Sequence, residues 1–243
     1  MRFGSVATDY DAHRPTYPDA LYDAIDSYAG GLRGLRTLDV GAGSGIATRA
    51  LVERGAKVTA TDVDPQMLAV LRARDDDVAV VVARGEALPY AAATFALATC
   101  ATAWHWMDAG LSARELTRVL APGGVLAVWW GFAGLAPCSE TGAEHEAFQR
   151  WRAKEEDGPK PPNREDPLTF LSANGFVEVR FEEHRSAREV TVEDHIQHVC
   201  THSPVLAIGA EVGGLQADLR AVFADRDTVT ENLHCALTLA RRP

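Results

Sequence analysis

Thr37-Leu38-Asp39-Val40-Gly41-Ala42-Gly43-Ser44-Gly45 is the stretch on which the fold turns. A short apolar run, 36–40, ends in glycines, and a helical pattern follows from Ile46 to Arg54. A glycine turn between a strand and a helix lets a ligand approach the backbone. The spacing separates two kinds of ligand. A dinucleotide fingerprint would need a small residue at position 46, where this chain has Ile46. Asp39 also puts a carboxylate beside the turn, which suits a ligand carrying positive charge better than a pyrophosphate.

Working outward, β-rich runs alternate with helical stretches. Residues 57–61 read as a strand and 65–74 as a helix. Residues 78–82, almost pure valine, read as a strand covered on both faces. Strands at 95–101 and 125–130 flank a helix at 113–120, with Pro122-Gly123-Gly124 as a break. This alternation predicts an α/β fold with right-handed crossovers and a parallel sheet, a Rossmann-like doubly wound architecture. Beyond Gly131 the reading gives helices at 139–156, 168–173 and 192–201, strands at 176–181 and 233–239, and a loop at 158–162. We expect a single domain over 1–243, with an arm at 1–29 and lid inserts at 135–165 and 185–229.

The second strand ends Thr61-Asp62-Val63-Asp64-Pro65. Proline favours the first helical position, so Asp64 is the better helix cap. Asp62 is then free, at the strand's carboxyl edge, to accept hydrogen bonds from a ribose diol.

Composition narrows the classes further. The chain's 243 residues, 47% apolar and 24% charged, bury a full core, which excludes disorder for most of the chain. The formal charge of −10, with no basic cluster, speaks against a nucleic-acid partner. No stretch of 18 apolar residues exists, and residues 1–10 do not read as a signal or transit peptide. Cys100, Cys138, Cys200 and Cys235 form no CxxC pair and read as reduced thiols, in keeping with a cytoplasmic location.

Four motifs carry a resemblance: Leu38 to Gly45, Asp62 to Leu68, Glu86-Ala87-Leu88-Pro89, and Leu120-Ala121-Pro122-Gly123-Gly124. Their order and spacing over about the first 130 residues resemble the class I S-adenosylmethionine-dependent methyltransferases. The resemblance implies a seven-stranded sheet whose last strand is antiparallel. It implies that Gly41 and Gly43 admit the methionine moiety of S-adenosylmethionine, that Asp62 binds the ribose hydroxyls, and that Val63 lies against adenine. Backbone near Glu86 and Ala87 would meet the adenine edge. Arg84 departs from the family, many members having an aspartate there. The stretch from Tyr10 to Pro18 and Trp104-His105-Trp106 are similar to a subgroup of small-molecule enzymes that includes the trans-aconitate methyltransferases. There the arm closes over the cofactor, which implies Tyr10 and Arg14 for its carboxylate end; a surface ion pair suits Arg14 equally well.

Methyl transfer from a sulfonium is an in-line displacement, so the protein supplies alignment, dryness and, where needed, a base. A carboxylate acceptor needs no base; a phenol, hydroxyl or ammonium does. Ala101, at the end of the fourth strand, should lie beside the cofactor. Trp104 and Trp106 are candidates to wall the substrate pocket, one of the two being core. His105 is read as a substrate hydrogen bond or the catalytic base, or else as a helix-start histidine held by its neighbours.

His195, His198 and His202 share one helix face. A metal there is disfavoured, and His202 or Ser203 is read as pointing into the substrate cleft. The run Glu144, Glu146, Glu155, Glu156 and Asp157 is read as a solvated helix face. The leading expectation is methylation of a small molecule, on oxygen more readily than on nitrogen or carbon. The rivals are a nicotinamide-dependent oxidoreductase and a non-catalytic domain that binds the cofactor or a partner.

Overall fold

A computed structural model describes residues 3–151 and 166–243. Two helices come first, α1 (Ala7–His13) and α2 (Asp19–Ala29). Then follow β1 (Arg36–Val40), α3 (Ile46–Glu53), β2 (Lys57–Asp62), α4 (Pro65–Arg74), β3 (Ala79–Val82) and β4 (Phe95–Ala101). Next come α5 (Ala109–Val119), β5 (Leu120–Leu135), α6 (Thr141–Trp151), α7 (Pro167–Ala173) and β6 (Val177–Thr191). The last described elements are α8 (Val192–Cys200), α9 (Ser203–Leu206), α10 (Val212–Val222) and β7 (Thr228–Arg241).

The seven strands form one sheet in the order β3-β2-β1-β4-β5-β7-β6. β1 pairs in parallel with β2 and β4, and β3 and β5 extend the parallel set outward. β7 runs antiparallel between β5 and β6; Gly123 N–H donates to Arg242 O (3.0 Å) and Arg242 N–H to Gly124 O (2.8 Å). The order reverses between β1 and β4, and in such sheets the crevice for a ligand opens outside the carboxyl ends at that reversal.

Local chemistry accounts for the boundaries. Asp64 caps α4, accepting from Gln66 N–H at 2.9 Å, with Pro65 in the first turn. Asp108 caps α5 in the same way through Leu111 N–H (2.8 Å), so the helix begins four residues before the periodic pattern at 113–120. Ala109, Ser112, Ala113, Leu116 and Val119 then form its buried face. β1 is central: Leu38 and Val40 enter one apolar core with Trp104 and Leu126, while Thr37 and Asp39 are buried on the other face.

Several expectations are corrected. The valine run is the edge strand β3, not one covered on both faces, and Val82 is 58% exposed. Pro122-Gly123-Gly124 does not break the chain before a strand; β5 starts at Leu120 and carries the glycines as an irregularity between the Phe95–Leu120 and Leu97–Val125 pairs. β6 and β7 run well beyond 176–181 and 233–239, and residues 185–191, expected within the second lid insert, are strand. α10 was not foreseen. The loop at 158–162 and residues Glu155, Glu156 and Asp157 lie outside the described residues.

The chain divides into two compact units. The sheet unit takes Thr16–Gly131, Pro161–His184 and His234–Pro243, as far as these are described. Within it α2, expected as part of the arm, packs Leu21, Tyr22 and Ile25 against Leu97, Trp129 and Leu237. The second unit takes Met1–Pro15, Phe132–Lys160 and Arg185–Leu233, with the same proviso. Its core joins Ala147 of α6, Ile196 and Val199 of α8, Val205, and Leu215 and Leu219 of α10.

Candidate active site

In the sheet unit, the carboxyl ends of β1, β2, β4 and β5 carry the candidate residues. Gly41, Gly43 and Gly45 all take left-handed φ values of 69°, 57° and 88°. At Gly41 a Cβ would stand 2.4 Å from the Cβ of Ala103, so the close pass of β1's end by the segment after β4 requires glycine. Gly43 N–H donates to Asp62 Oδ2 at 2.9 Å, and Asp64 N–H donates to Oδ1 at 2.8 Å. One carboxylate thus braces both the glycine loop and the turn into α4. Burial raises the Asp62 pKa against these two N–H bonds. The neighbouring Val63 is 62% exposed, an apolar side chain standing in solvent beside the acid.

Asp39 is placed differently from its reading as a charge offered to a ligand. It is fully buried; Oδ2 accepts from Thr48 Oγ1 (2.6 Å) and Oδ1 from Thr99 Oγ1 (2.8 Å). Burial pushes its pKa up to about 6, against the two hydroxyl bonds and helped by the charge of Asp62. In this arrangement Asp39 holds β1, α3 and β4 together beneath the loop.

After β3, Arg84 and Ala87 form a small antiparallel bridge, with Ala87 N–H donating to Arg84 O at 3.1 Å. The Ala87 N–H is therefore spent within its own turn. Glu86 Oε1 accepts from Asp108 N–H at 2.9 Å, tying this turn to the start of α5, and Arg84 Nε lies 3.4 Å from Glu86 Oε2.

Ala101 closes β4, and Thr102 then takes φ 52°. A β-branched residue there is strained, and the surroundings over-determine it. Thr102 Oγ1 lies 3.1 Å from Tyr17 Oη and accepts from Gly131 N–H at 3.3 Å, while Thr102 N–H donates to Trp129 O at 2.7 Å. Trp104-His105-Trp106 follows as a turn of 3₁₀-helix rather than the end of a strand. Trp104 is fully buried and packs near Phe170, ring centroids 6.1 Å apart, so it serves the core; Trp106 stays half-buried beside His105, 4.9 Å between rings.

His105 is held by a residue the sequence reading passed over. Trp130 Nε1–H donates to His105 Nδ1 at 2.9 Å. An indole nitrogen only donates, so Nδ1 must carry the lone pair and Nε2 the proton. Burial lowers the pKa of the ring and so favours its neutral form. Thr102, Tyr17 and Trp130 were all missed as site residues. The available signal was that the strand reading at 125–130 puts Trp130 at the same carboxyl edge as His105, which follows the strand at 95–101.

Tyr10, Arg14 and His202 lie in the second unit. Arg14 sits over the Tyr10 ring (5.0 Å) and donates from Nη2 to Thr201 O at 3.1 Å. His202 stacks edge-on against His198 (5.0 Å) and Phe148 (6.5 Å); burial and the Arg14 charge press its pKa down to about 3. Glu144, read as part of a solvated face, instead lies 2.7 Å from His195 Nε2, whose Nδ1 is 2.7 Å from Glu231 Oε1. Burial opposes charge on His195, but the two carboxylates prevail and hold its pKa up at about 9. His195, His198 and Glu231 bring donor atoms within 4.8 Å of one another. Arg188 and the His195 imidazolium already neutralise Glu231, so the cluster is a proton and ion-pair network in its present form. The four cysteines are free thiols. No helix among the described residues is long and apolar enough to cross a membrane.

Residues 38–128 match the family described as methyltransferase domain. Strand order, glycine loop and acid at the end of β2 agree with that match, and the arrangement is that of the class I, S-adenosylmethionine-dependent methyltransferases. Over 130 residues the chain is 38% identical to an uncharacterised methyltransferase of Mycobacterium tuberculosis, an overlap of 54% of this chain and 52% of that protein. It is 37% identical over 155 residues to a malonyl-[acyl-carrier protein] O-methyltransferase of Enterobacter lignolyticus, covering 63% of this chain and 58% of that one. The chain thus spans about half the length of the curated relatives it matches. A solved structure, described as a candidate type II methyltransferase from Anaeromyxobacter dehalogenans, aligns with TM-score 0.66 at 23% identity over 94% of this chain and 98% of that one. That likeness is one of fold.

The cofactor of this class is S-adenosylmethionine. The site fits it on its own geometry. Asp62 offers a carboxylate whose unspent lone pairs suit a diol, Val63 offers an exposed apolar face, and the glycine loop keeps side chains out of the way.

Proposed function

We propose that the protein methylates a carboxylate oxygen of a small organic acid, using S-adenosylmethionine and yielding a methyl ester. One observation carries the choice of acceptor: the Trp130–His105 hydrogen bond leaves the imidazole at this edge presenting a donor, Nε2–H. A donor cannot take a proton from a phenol, alcohol or ammonium, but it does hold and orient an oxygen that is already ionised. Carboxylates are ionised at neutral pH without help.

Asp62 would hold the ribose hydroxyls, Val63 the adenine face, and the Gly41–Gly45 loop the amino-acid portion. S-adenosylmethionine, when bound, supplies a sulfonium methyl whose C–S bond breaks as the acceptor oxygen forms the new C–O bond, with no proton to remove. His105 Nε2–H orients the acceptor carboxylate. Trp106 gives the half-buried aromatic surface that excludes water and favours a sulfonium by cation–π attraction. Asp39 keeps the loop in register through Thr48 and Thr99. The similarity to a malonyl-[acyl-carrier protein] O-methyltransferase, named for transfer to oxygen, supports the same reading.

The test is transfer of labelled methyl to a panel of carboxylic acids, phenols and amines. Methyl esters release volatile methanol in alkali, whereas aryl ethers and methylamines do not. Base-labile label formed on acids alone is the expected result; base-stable label from a phenol or amine overturns the reading.

A further inference from the structure

Two imidazole nitrogens and one carboxylate oxygen converge inside the second unit. His195 Nδ1 and His198 Nδ1 lie 2.7 and 2.8 Å from the same atom, Glu231 Oε1. The three donor atoms come within 4.8 Å of one another, and all three residues are buried. His195 and His198 share one face of α8, and β7 brings Glu231 up to them. Spacing in the sequence alone disfavours an ion at these histidines, and it shows neither acid that the structure adds. Glu231 lies 33 positions beyond His198, and Glu144 lies 51 positions before His195.

The outward-facing atoms are held as they are in metal sites. A ligating imidazole commonly gives its other N–H to a carboxylate, and a ligating carboxylate is itself hydrogen-bonded. Here His195 Nε2 lies 2.7 Å from Glu144 Oε1. Glu231 Oε2 accepts from Arg188 Nε at 2.8 Å and lies 2.7 Å from Arg188 Nη2. Of these outer atoms, His198 Nε2 alone lacks a partner among the described residues. All five residues belong to this one unit.

We propose that His195, His198 and Glu231 bind one zinc ion, which ties α8 to β7. Two imidazoles and one carboxylate are a zinc donor set. Iron(II) takes the same three ligands but keeps further positions open. The three side chains here are at most 1% exposed, which favours the ion of lower coordination number. Zinc–ligand distances of about 2.0–2.1 Å put tetrahedral ligands about 3.3 Å apart. Each present contact of 2.7 or 2.8 Å therefore widens by roughly 0.5 Å, which small side-chain rotations supply.

The protons balance. In the ion-free form the His195 imidazolium donates from both nitrogens, and His198 donates from Nδ1. Binding sends the His195 Nδ1 proton to solvent and moves the His198 proton to Nε2, which frees both lone pairs. A water in the fourth position loses a second proton to solvent and becomes hydroxide, as zinc-bound water does near neutral pH. Zinc with its hydroxide adds one positive charge where the His195 proton has left. The charge facing Arg14, Arg188, Glu144 and Glu231 is thus unchanged.

The test is calorimetric titration of the whole, chelator-treated protein with zinc chloride, and an optical titration with cobalt(II) chloride. One zinc per chain is expected. Cobalt should give the intense visible bands of a four-coordinate ion, without the near-ultraviolet band that a thiolate ligand adds. Glu144→Gln should weaken zinc by about 10- to 100-fold, the usual cost of losing such a partner. Glu231→Gln removes a ligand and should weaken it further. Circular-dichroism melts of the metal-free forms identify any variant that fails to fold. The wild-type stoichiometry and cobalt spectrum decide the matter without variants. Substoichiometric zinc, a weak six-coordinate cobalt spectrum, a thiolate band, or unchanged affinity in folded Glu231→Gln overturns the proposal.

Discussion

Replacing Trp130 with phenylalanine removes one N–H and keeps most of the aromatic surface. In the wild type that N–H, 2.9 Å from His105 Nδ1, selects the Nε2–H tautomer. A hydrogen bond of this kind contributes about 0.5–1.5 kcal/mol net, so its loss shifts the tautomer ratio by roughly 2- to 13-fold toward Nδ1–H. In Trp130→Phe, Nε2 then spends part of its time as an acceptor, which repels a carboxylate. We expect kcat for an acid substrate to fall several-fold while affinity for S-adenosylhomocysteine stays unchanged, since Asp62 and the glycine loop are untouched. A long-range ¹⁵N–¹H correlation spectrum of the histidines reports directly which ring nitrogen carries the proton. A wild-type His105 with its proton on Nδ1 would refute the reasoning, because Nε2 would then be free to act as a base. His105→Ala should lower turnover at least as far, again at constant cofactor affinity.

Asp39 links pH to stability. Its pKa lies at about 6 in the folded protein against an ordinary 3.8, so the native state binds the proton more tightly and stability falls as pH rises through that interval. The full gap corresponds to about 3 kcal/mol, and Asp39→Asn should recover part of it at pH 8 but little at pH 4, as read by urea melts at both. An asparagine variant equally shifted at both pH values would contradict this. Gly41→Ala combines φ 69° with a 2.4 Å Cβ contact, whereas Gly34→Ala has φ 75° and no atom within 4 Å. The second should lose only the backbone cost of roughly 1–2 kcal/mol; the first should lose more and forfeit S-adenosylhomocysteine binding, and equal melting temperatures would sink the distinction. Asp62→Ala should weaken S-adenosylhomocysteine by about 1–3 kcal/mol through lost charge-assisted hydrogen bonds, measured by calorimetry. Unchanged affinity removes Asp62 from the site.

The sheet's parallel half was legible because each of its signals is local. Asp64-Pro65 announces a helix start within two residues, and the 95–101 run matches β4 residue for residue. The misreadings arose where neighbours in space override neighbours in sequence. Valine at 80–82 is compatible with an edge strand as well as a central one, and only pairing on one side distinguishes them. α10 hid behind Gly213-Gly214, a poor helix signal; a Cβ at Gly214 would come within 2.2 Å of the Trp151 ring, so the glycine serves packing rather than a turn.

Taken alone, the chain's order of residues determined the α/β class, the glycine loop after β1, the cap at Asp64 and the release of Asp62 from capping. Each depends on backbone preferences within a few residues, which periodicity and spacing report. Tertiary structure alone decided that Asp39 is an internal brace, that Trp104 belongs to the core, that Trp130 sets the proton on His105, and that Glu144, Glu231 and Arg188 surround the α8 histidines. Those outcomes join residues 9 to 60 or more positions apart. Hydrogen-bond direction and charge compensation in a buried site depend on where atoms meet, and that is fixed only when the sheet and its helices have packed.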